Sequence, residues 1–390
     1  MTDLERILSL WRELEAAEAD YVLATLVAVQ GSSYRKPGAC MLLTADGRRA
    51  GTVSGGCLEV QVASRAWWLT ANGPSVQRYS TAEEDGNLPY GSGCGGVVFL
   101  LLERRATAGS LLTALERVFD GRIPLAVATI LEGPHLARRA FAGLERETSQ
   151  QRRPSAEPGQ IGDDSLQDLA RVALTSRKSM EKEISIQGTE ARAWADYRPA
   201  RPGLWIFGAG DDAQPLLRMA KELGWFVSVA DGRTQLATRE RFPLADELRI
   251  LPIKELPGGQ PDGSPTALGN PHPEDAAVVM THSFEQDARI LASLLALDAS
   301  PGYIGVLGPQ RRTRELLVEA ARLLNLPASA TDAQTERRLA QLHAPTGLDL
   351  GAESPETIAL SVLAEIQKSR TATTALPLRQ VRAAALTING

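Results

Sequence analysis

Residues 204–213 read LWIFGAGDDA, an apolar run that ends in a glycine-rich turn. The run predicts a strand, and the residues from Asp212 to Leu223 have helical spacing. A second apolar strand, Trp225 to Ala230, ends at Asp231, 21 residues beyond Gly210. A strand, a GxGxxA turn, a helix and an acid after the next strand form the dinucleotide-binding pattern. The stretch therefore predicts a Rossmann-like fold in this half of the chain.

The rest of this half continues the alternation. Strands are predicted at Ala276 to Met280 and Tyr303 to Leu307, and helices at Glu285 to Leu297 and Arg311 to Leu324. Strands that alternate with helices pair in parallel, so we expect a C-terminal Rossmann-like, doubly wound parallel sheet. The glycine- and proline-rich residues 255–274 are predicted to form a long loop.

The N-terminal half has a different pattern. Helical spacing at residues 2–18 precedes an apolar strand, Tyr21 to Val29, and Asp46-Gly47 is a strong hairpin signal. A helix is predicted from Leu58 to Leu69, and strands at Val97 to Leu102 and Pro124 to Leu131. The fold class is therefore α/β, with an N-terminal mixed α/β domain. The predicted domains are residues 1–198, residues 199–370 and a C-terminal tail at 371–390, with a loop at 145–165 and a proline-containing linker at 196–202.

Composition narrows the functional classes. The 390 residues favour two or three domains. With 42 basic and 47 acidic residues, the net charge of −5 does not favour a nucleic-acid partner. No apolar run reaches transmembrane length, so no membrane span is expected. Three cysteines without a CxxC pair indicate neither a disulfide framework nor a zinc ribbon, and favour a reduced, cytoplasmic protein.

Two glycine–cysteine loops are candidates for chemistry. Ser54-Gly55-Gly56-Cys57 opens the helix that carries Glu59, and a thiol at a helix N-terminus is favoured as a thiolate. Gly93-Cys94-Gly95 precedes a strand, where glycines let the backbone approach a ligand or another strand. The alternative is that both cysteines are small buried apolar residues.

At the turn of the Rossmann-like half, Gly208 and Gly210 permit close backbone approach to a ligand, and Asp231 suits a ribose diol. Asp211 and Asp212 would repel a pyrophosphate there, unless they only cap the helix dipole. His282 follows a predicted strand on the side of a parallel sheet where ligands bind. A nicotinamide dinucleotide (NAD) is therefore the less favoured ligand.

Together these blocks resemble the XdhC/CoxI family, accessory proteins of xanthine dehydrogenase and related molybdenum hydroxylases. The resemblance covers residues 22–103 and 203–367. It rests on motifs in both halves of the chain: residues 31–39 (GSSYRKPGA), 51–59 (GTVSGGCLE), 93–96 (GCGG), 207–210 (FGAG), 231–233 (DGR), 241–243 (RFP), 281–282 (TH), 303–308 (YIGVLG) and 343–356 (HAPTGLDLGAESPE). One departure is Asp211, where the family tends to have histidine.

The resemblance implies a molybdenum cofactor chaperone, an accessory factor and not itself an enzyme. It would bind the cofactor as molybdopterin or its dinucleotide form, protect it during sulfuration by a cysteine desulfurase, and deliver it to a molybdenum hydroxylase apoenzyme. A homodimer is expected, and an NAD-dependent oxidoreductase or a pure interaction module are the alternatives. The expected cofactor-binding residues are Arg35, Lys36, Gly55, Gly56, Cys57, Glu59, Gly93, Cys94, Gly95, Gly208, Gly210, Asp231 and His282, with Cys57 and Cys94 next to the metal.

Overall fold

The computed structural model describes residues 2–56, 58–80, 96–144, 164–186, 188–257, 267–297, 299–325 and 341–381. Chain contacts divide it into two units, Met1–Arg201 and Pro202–Gly390. Four predicted site residues, Cys57, Gly93, Cys94 and Gly95, lie outside the described residues. None of the described helices is long and apolar enough to cross a membrane.

The first sheet of the N-terminal unit is antiparallel and has the order β3-β2-β1-β5-β4 in the described residues. Its strands are β1 (Tyr21–Gln30), β2 (Cys40–Thr44), β3 (Arg49–Gly51), β4 (Ser75–Ser80) and β5 (Val97–Arg104). The predicted hairpin at Asp46-Gly47 is confirmed by the antiparallel pairing of β2 with β3.

Helices cover both faces of this sheet: α1 (Asp3–Ala16) and α3 (Arg105–Gly121) on one, α2 (Glu59–Leu69) on the other. Successive side chains of β1 therefore enter different cores, because side chains alternate across a strand. Tyr21 and Leu23 pack with α1 and α3. Val22 and Ala24 pack with α2. This is why β1 is buried along most of its length instead of alternating.

A second antiparallel sheet completes the N-terminal unit, with the order β7-β6-β9-β8 in the described residues. Its elements are β6 (Leu125–Ile130), β7 (Arg139–Ala142), β8 (Met180–Ile186), β9 (Thr189–Arg198) and the covering helix α4 (Asp164–Ser176). The predicted linker was wrong at its start, because Asp196–Arg198 pair with β6. The predicted loop 145–165 also ends too late, since α4 begins at Asp164; residues 145–163 lie outside the described residues.

The C-terminal unit contains a parallel sheet of six described strands in the order β12-β11-β10-β13-β14-β15. The strands are β10 (Gly203–Phe207), β11 (Phe226–Asp231), β12 (Glu247–Ile250), β13 (Ala276–Val279), β14 (Tyr303–Val306) and β15 (Leu342–His343). The predicted Rossmann-like, doubly wound parallel sheet is confirmed. Of the predicted long loop at 255–274, residues 258–266 lie outside the described residues.

Four described helices form a layer on each face of the sheet: α5 (Ala213–Glu222), α6 (Phe284–Ala296), α7 (Gln310–Leu323) and α8 (Pro355–Thr371). A short helix, α9 (Leu378–Val381), follows α8 in the chain. Leu204 and Ile206 pack with α5 and α8. Trp205 and Phe207 pack with α6 and α7.

The strand order reverses beside β10, since the chain first runs outward through β11 and β12 and then returns to place β13 on the other side. The carboxyl ends of β10 and β13 thus form a topological switch point, where open α/β sheets bind ligands. The glycine turn after β10 and residues 281–283 after β13 both lie at this edge.

Candidate functional site

Gly208 begins the turn at the switch point with φ near +130°, a backbone conformation that glycine adopts readily. A Cβ atom at this position would lie against the carbonyl oxygen of Met280, well inside van der Waals contact. Glycine therefore allows the end of β10 to pass close to the end of β13.

The turn amide that follows is bound by the protein's own carboxylate. Ala209 donates its N–H to Oδ2 of Asp231 over 2.7 Å. Arg233 donates to the same carboxylate from its backbone N–H at 2.8 Å, from Nε at 3.0 Å and from Nη2 at 2.8 Å. Burial alone would raise the pKa of the Asp231 carboxyl, but the hydrogen bonds from Arg233 and Ala209 hold it below the usual range.

Asp212 and His282 face each other across the switch point. Nε2 of His282 lies 2.8 Å from Oδ2 of Asp212. His282 has φ near +62°, a left-handed backbone that is uncommon for a residue with a side chain, and its side chain is 65% exposed. Asp212 stands at the N-cap position of α5 but makes no side-chain hydrogen bond to the helix backbone, so its interaction with the helix dipole stays a prediction.

Asp211 also has an ionic partner. Its Oδ1 lies 2.8 Å from Nη2 of Arg241, which also donates to the carbonyl of Ala209 over 3.3 Å. The Asp211 side chain remains 87% exposed. The sequence pattern gives no spacing signal for this pair, because Arg241 follows 30 residues later in an irregular segment.

A fourth aspartate, Asp287, holds the end of β13. Asp287 accepts hydrogen bonds from the N–H and hydroxyl of Thr281 at 3.1 and 2.6 Å, and pairs with Arg312 at 2.7 Å. In the described part of the chain, the ring of His282 is hydrogen-bonded to Asp212 and not to Asp287. The role of Asp287 is to hold the loop from which His282 projects.

The motif at 343–356 runs from the end of β15 into the start of α8, and the loop between them is held by the carboxylate of Glu365 on α8. Glu365 accepts hydrogen bonds from the hydroxyl of Tyr303 and the N–H of Gly347, both at 2.7 Å. His343 lies 3.2 Å from the same carboxylate and stacks on Tyr303 with ring centroids 4.2 Å apart. Burial would raise the pKa of Glu365, and the hydrogen bonds from Tyr303 and Gly347 lower it overall. His343 thus contacts both Glu365 and Tyr303 at the start of this loop.

In the N-terminal unit, the carboxylate of Glu59 fills the loop that precedes Cys57. It accepts hydrogen bonds from the backbone N–H groups of Val53, Ser54, Gly55 and Gly56 at 2.9–3.2 Å and from the Ser54 hydroxyl at 2.6 Å. Glu59 is only 1% exposed. Burial raises the pKa of its carboxyl, but the hydrogen bonds from Ser54 and the loop amides outweigh that effect and lower it.

The segment at residues 31–39, which carries Arg35 and Lys36 and is called the basic loop below, lies against this glycine loop. A Cβ atom on Gly55 would come within 2.6 Å of the Tyr34 ring, so the ring rests directly on the glycine. Arg35 turns inward, where it donates to Asp3 and Thr52. Lys36 is exposed. Of the two predicted basic contacts, the structure therefore leaves Lys36 the more accessible to an anion.

The predicted site residues fall into two groups. Arg35, Lys36, Gly55, Gly56 and Glu59 come together in the N-terminal unit, and Gly208, Gly210, Asp231 and His282 at the switch point of the C-terminal unit. Among the described residues, no group of three or more His, Cys, Asp or Glu side chains could hold a metal ion. The assignment of Cys57 and Cys94 to a metal stays a prediction, as does ligand binding by the other residues.

Comparison with known proteins matches both units. A family profile described as the XdhC Rossmann domain matches residues 204–366, and one described as the XdhC and CoxI family matches residues 14–80. A solved structure described as a xanthine dehydrogenase from Bacillus halodurans is 26% identical, with a TM-score of 0.64, over 98% of this chain and 100% of that chain.

Two curated relatives also match over most of their length. A probable xanthine dehydrogenase subunit from Bacillus subtilis (strain 168) is 32% identical over 90% of this chain and 94% of its own. The molybdenum cofactor insertion chaperone PaoD of Escherichia coli (strain K12) is 25% identical over 90% of this chain and 83% of its own. With profiles matched in both units and a relative this similar along nearly its whole length, the chain belongs to the XdhC and CoxI family.

Proposed function

We propose that this protein is a maturation factor for a molybdenum hydroxylase, which binds the molybdenum cofactor and inserts it into the apoenzyme. The names of the two curated relatives support a role in molybdenum cofactor handling. In the finer proposal, the protein is a cytoplasmic homodimer that protects the cofactor, as molybdopterin or its dinucleotide form, while a cysteine desulfurase sulfurates it. It then delivers the cofactor without itself acting as an enzyme.

The loop at Val53–Gly56 is the observation that carries this proposal. Four consecutive amides and one hydroxyl converge on the buried Glu59 carboxylate. Such a network fixes the backbone up to the residue that precedes Cys57, because every donor in it is satisfied. Molybdenum with sulfur ligands suits a soft thiolate donor. A fixed loop that ends at a cysteine is therefore suited to hold a metal cofactor through Cys57.

The cofactor's phosphate needs a cation, and the basic loop supplies one beside the same glycines. Tyr34 joins the two loops by resting on Gly55, and Lys36 follows two residues later with an exposed side chain. Charge-assisted hydrogen bonds from lysine are a common way to hold phosphate. We assign the phosphate to Lys36 and the metal end to Cys57.

The test is cofactor retention by the full chain. The protein is purified from a host that makes the cofactor, and the bound pterin is oxidised and quantified by fluorescence. Cys57→Ser should lower the pterin content several-fold at an unchanged melting temperature. Cys40→Ser is the matched control. Cys40 is a free thiol buried on β2, where it makes hydrogen bonds within the protein to Thr25 and Gly38, so no role in cofactor binding is assigned to it.

Transfer is tested in the same experiment. Loaded protein mixed with a molybdenum hydroxylase apoenzyme should restore its activity, and the Cys57→Ser protein should restore less. Wild-type protein that carries no pterin and restores no activity would contradict the proposal. Equal pterin content in the wild type and the Cys57→Ser variant would remove Cys57 from it.

A further inference from the structure

We infer that the glycine turn of the Rossmann unit is closed to the pyrophosphate of a dinucleotide, because the protein's own Asp231 carboxylate occupies the anion position. The inference deepens the proposed function and rests on it in one respect: it assigns the phosphate of the molybdenum cofactor to a place outside this turn. The Rossmann fold by itself would imply a dinucleotide such as NAD, and the residues present do not fit one.

The first reason is the turn amide. In dinucleotide-binding proteins the amides of the glycine turn and the following helix N-terminus receive the pyrophosphate. Here the N–H of Ala209, in the middle of the turn, donates to Asp231 over 2.7 Å. A phosphate oxygen could accept this hydrogen only by displacing a carboxylate that Arg233 also holds through three donors.

The second reason is that Asp231 cannot take a ribose in this arrangement. An acid at this position normally accepts the ribose hydroxyls. The Asp231 side chain is fully buried, and both of its oxygens already accept hydrogen bonds from the protein. The position matches the dinucleotide pattern, but the carboxylate faces the turn and not a ligand.

The third reason is the space at Gly210. The second glycine of the pattern leaves room for a close approach of the pyrophosphate. Here that room contains a side chain, since a Cβ atom on Gly210 would be only 2.6 Å from Oδ1 of Asp212. Asp212 is held in this place by His282 at 2.8 Å. A phosphate would meet a like charge where the pattern provides an opening.

The charges at this edge of the sheet also disfavour a phosphate. Each of the three arginines described there is paired with an aspartate, as Arg233–Asp231, Arg241–Asp211 and Arg312–Asp287. Asp212 adds a fourth carboxylate, whose Oδ2 lies 2.8 Å from Nε2 of His282. The three arginines are thus outnumbered by the four carboxylates, and this edge offers no excess of arginine charge to attract a multiply charged phosphate.

The experiment titrates the full chain with NADH, followed by the rise in its fluorescence, and then adds inorganic pyrophosphate as a competitor. The wild type should show no saturable binding that pyrophosphate displaces, up to millimolar NADH. Asp231→Ala uncovers the Ala209 N–H and frees Arg233, and it should bind pyrophosphate at least tenfold more tightly than the wild type. Asp46→Ala, an exposed aspartate on the hairpin of the other unit, is the control and should leave both titrations unchanged.

Saturable NADH binding by the wild type that pyrophosphate displaces would overturn the inference. This result does not depend on the variant, so it stands even if Asp231→Ala fails to fold. Pterin content is measured on the same preparations. A wild type that contains no pterin contradicts the proposed function but not the closure of the turn, whereas NADH binding at the turn contradicts only the closure.

Discussion

The hydroxyl of Ser54 lies 2.6 Å from a carboxylate oxygen of Glu59, which follows five residues later as the first residue of α2. The same hydroxyl accepts the N–H of Leu58 at 2.9 Å, so Ser54 links the carboxylate to the start of α2. Glu59 thereby acts as an internal anion for the glycine loop. Glu59 was predicted to contact the cofactor. In the described structure its carboxylate instead holds the backbone of the loop that precedes Cys57.

Replacing Glu59 with alanine should destabilise the N-terminal unit by at least about 2 kcal/mol, because several buried donors lose their acceptor together. The measurement is the free energy of unfolding in urea. Glu183→Ala, which removes an exposed glutamate from the edge strand β8, should change it by less than about 0.5 kcal/mol.

Adding a small carboxylate to the Glu59→Ala variant distinguishes the loss of these hydrogen bonds from a simple loss of packing. If the amides of Val53–Gly56 form an anion cradle, then acetate or formate should raise the melting temperature of Glu59→Ala in a saturable way. The wild type should not respond, since its cradle is full. A variant as stable as the wild type, or one that acetate and chloride affect equally, would contradict the assignment.

Gly208→Ala should destabilise the C-terminal unit by about 3 kcal/mol, because a Cβ atom there meets the Met280 carbonyl in a backbone conformation already unfavourable for alanine. Gly47→Ala is a matched control: its φ is also positive, at +87°, but nothing lies within 4 Å of the added atom. It should cost only about 1 kcal/mol. Calorimetric melting of both variants gives the comparison, and equal losses would show that the close approach of β10 to β13 contributes nothing.

Much of the fold could be predicted because its strongest signals are local. Buried parallel strands are continuous apolar runs, and Gly208 and Gly210 mark the turn after the first. Some of the elements that were not predicted have weaker patterns. Strand β8 lies at a sheet edge with mostly exposed side chains. Helix α8 was missed although Ser354 and Pro355 carry a clear N-terminal signal, a capping serine followed by proline.

The direction of a carboxylate could not be predicted in the same way. The sequence pattern places Asp231 at the end of β11, but a side chain there can face a ligand or the turn, and both choices have the same spacing. The local signal was Arg233, two residues later, whose guanidinium reaches back to Asp231. The contacts of Arg241 and Glu365 depend on tertiary packing over 30 and 18 residues, which no local pattern records.

Acid should weaken the C-terminal unit through Glu365. Its folded-state pKa is lowered, so the stabilisation is fully present above the usual glutamate pKa of about 4.3 and is lost as the pH falls through the folded value. The melting temperature of the wild type should therefore fall steeply below about pH 4.3. Glu365→Gln should melt lower at pH 7 and lose less on acidification. Parallel curves for the two proteins would show that this carboxylate does not contribute to the acid response.

The last prediction separates the two basic residues beside the glycine loop. Arg35 donates hydrogen bonds to Asp3 and Thr52, whereas Lys36 is exposed. Replacing Arg35 should therefore affect mainly stability, and replacing Lys36 mainly cofactor retention. Arg35→Ala should lower the melting temperature, because it removes one of the arginines that pair with the half-buried Asp3, the other being Arg6. Lys36→Ala should leave the melting temperature unchanged and lower the retained pterin several-fold, since a phosphate held there would lose its cation. Lys36→Arg keeps the charge and should retain the cofactor. If Lys36→Ala keeps its pterin content while Arg35→Ala loses pterin at full stability, then Arg35 and not Lys36 binds the phosphate, and its contacts with Asp3 and Thr52 must open when the cofactor arrives.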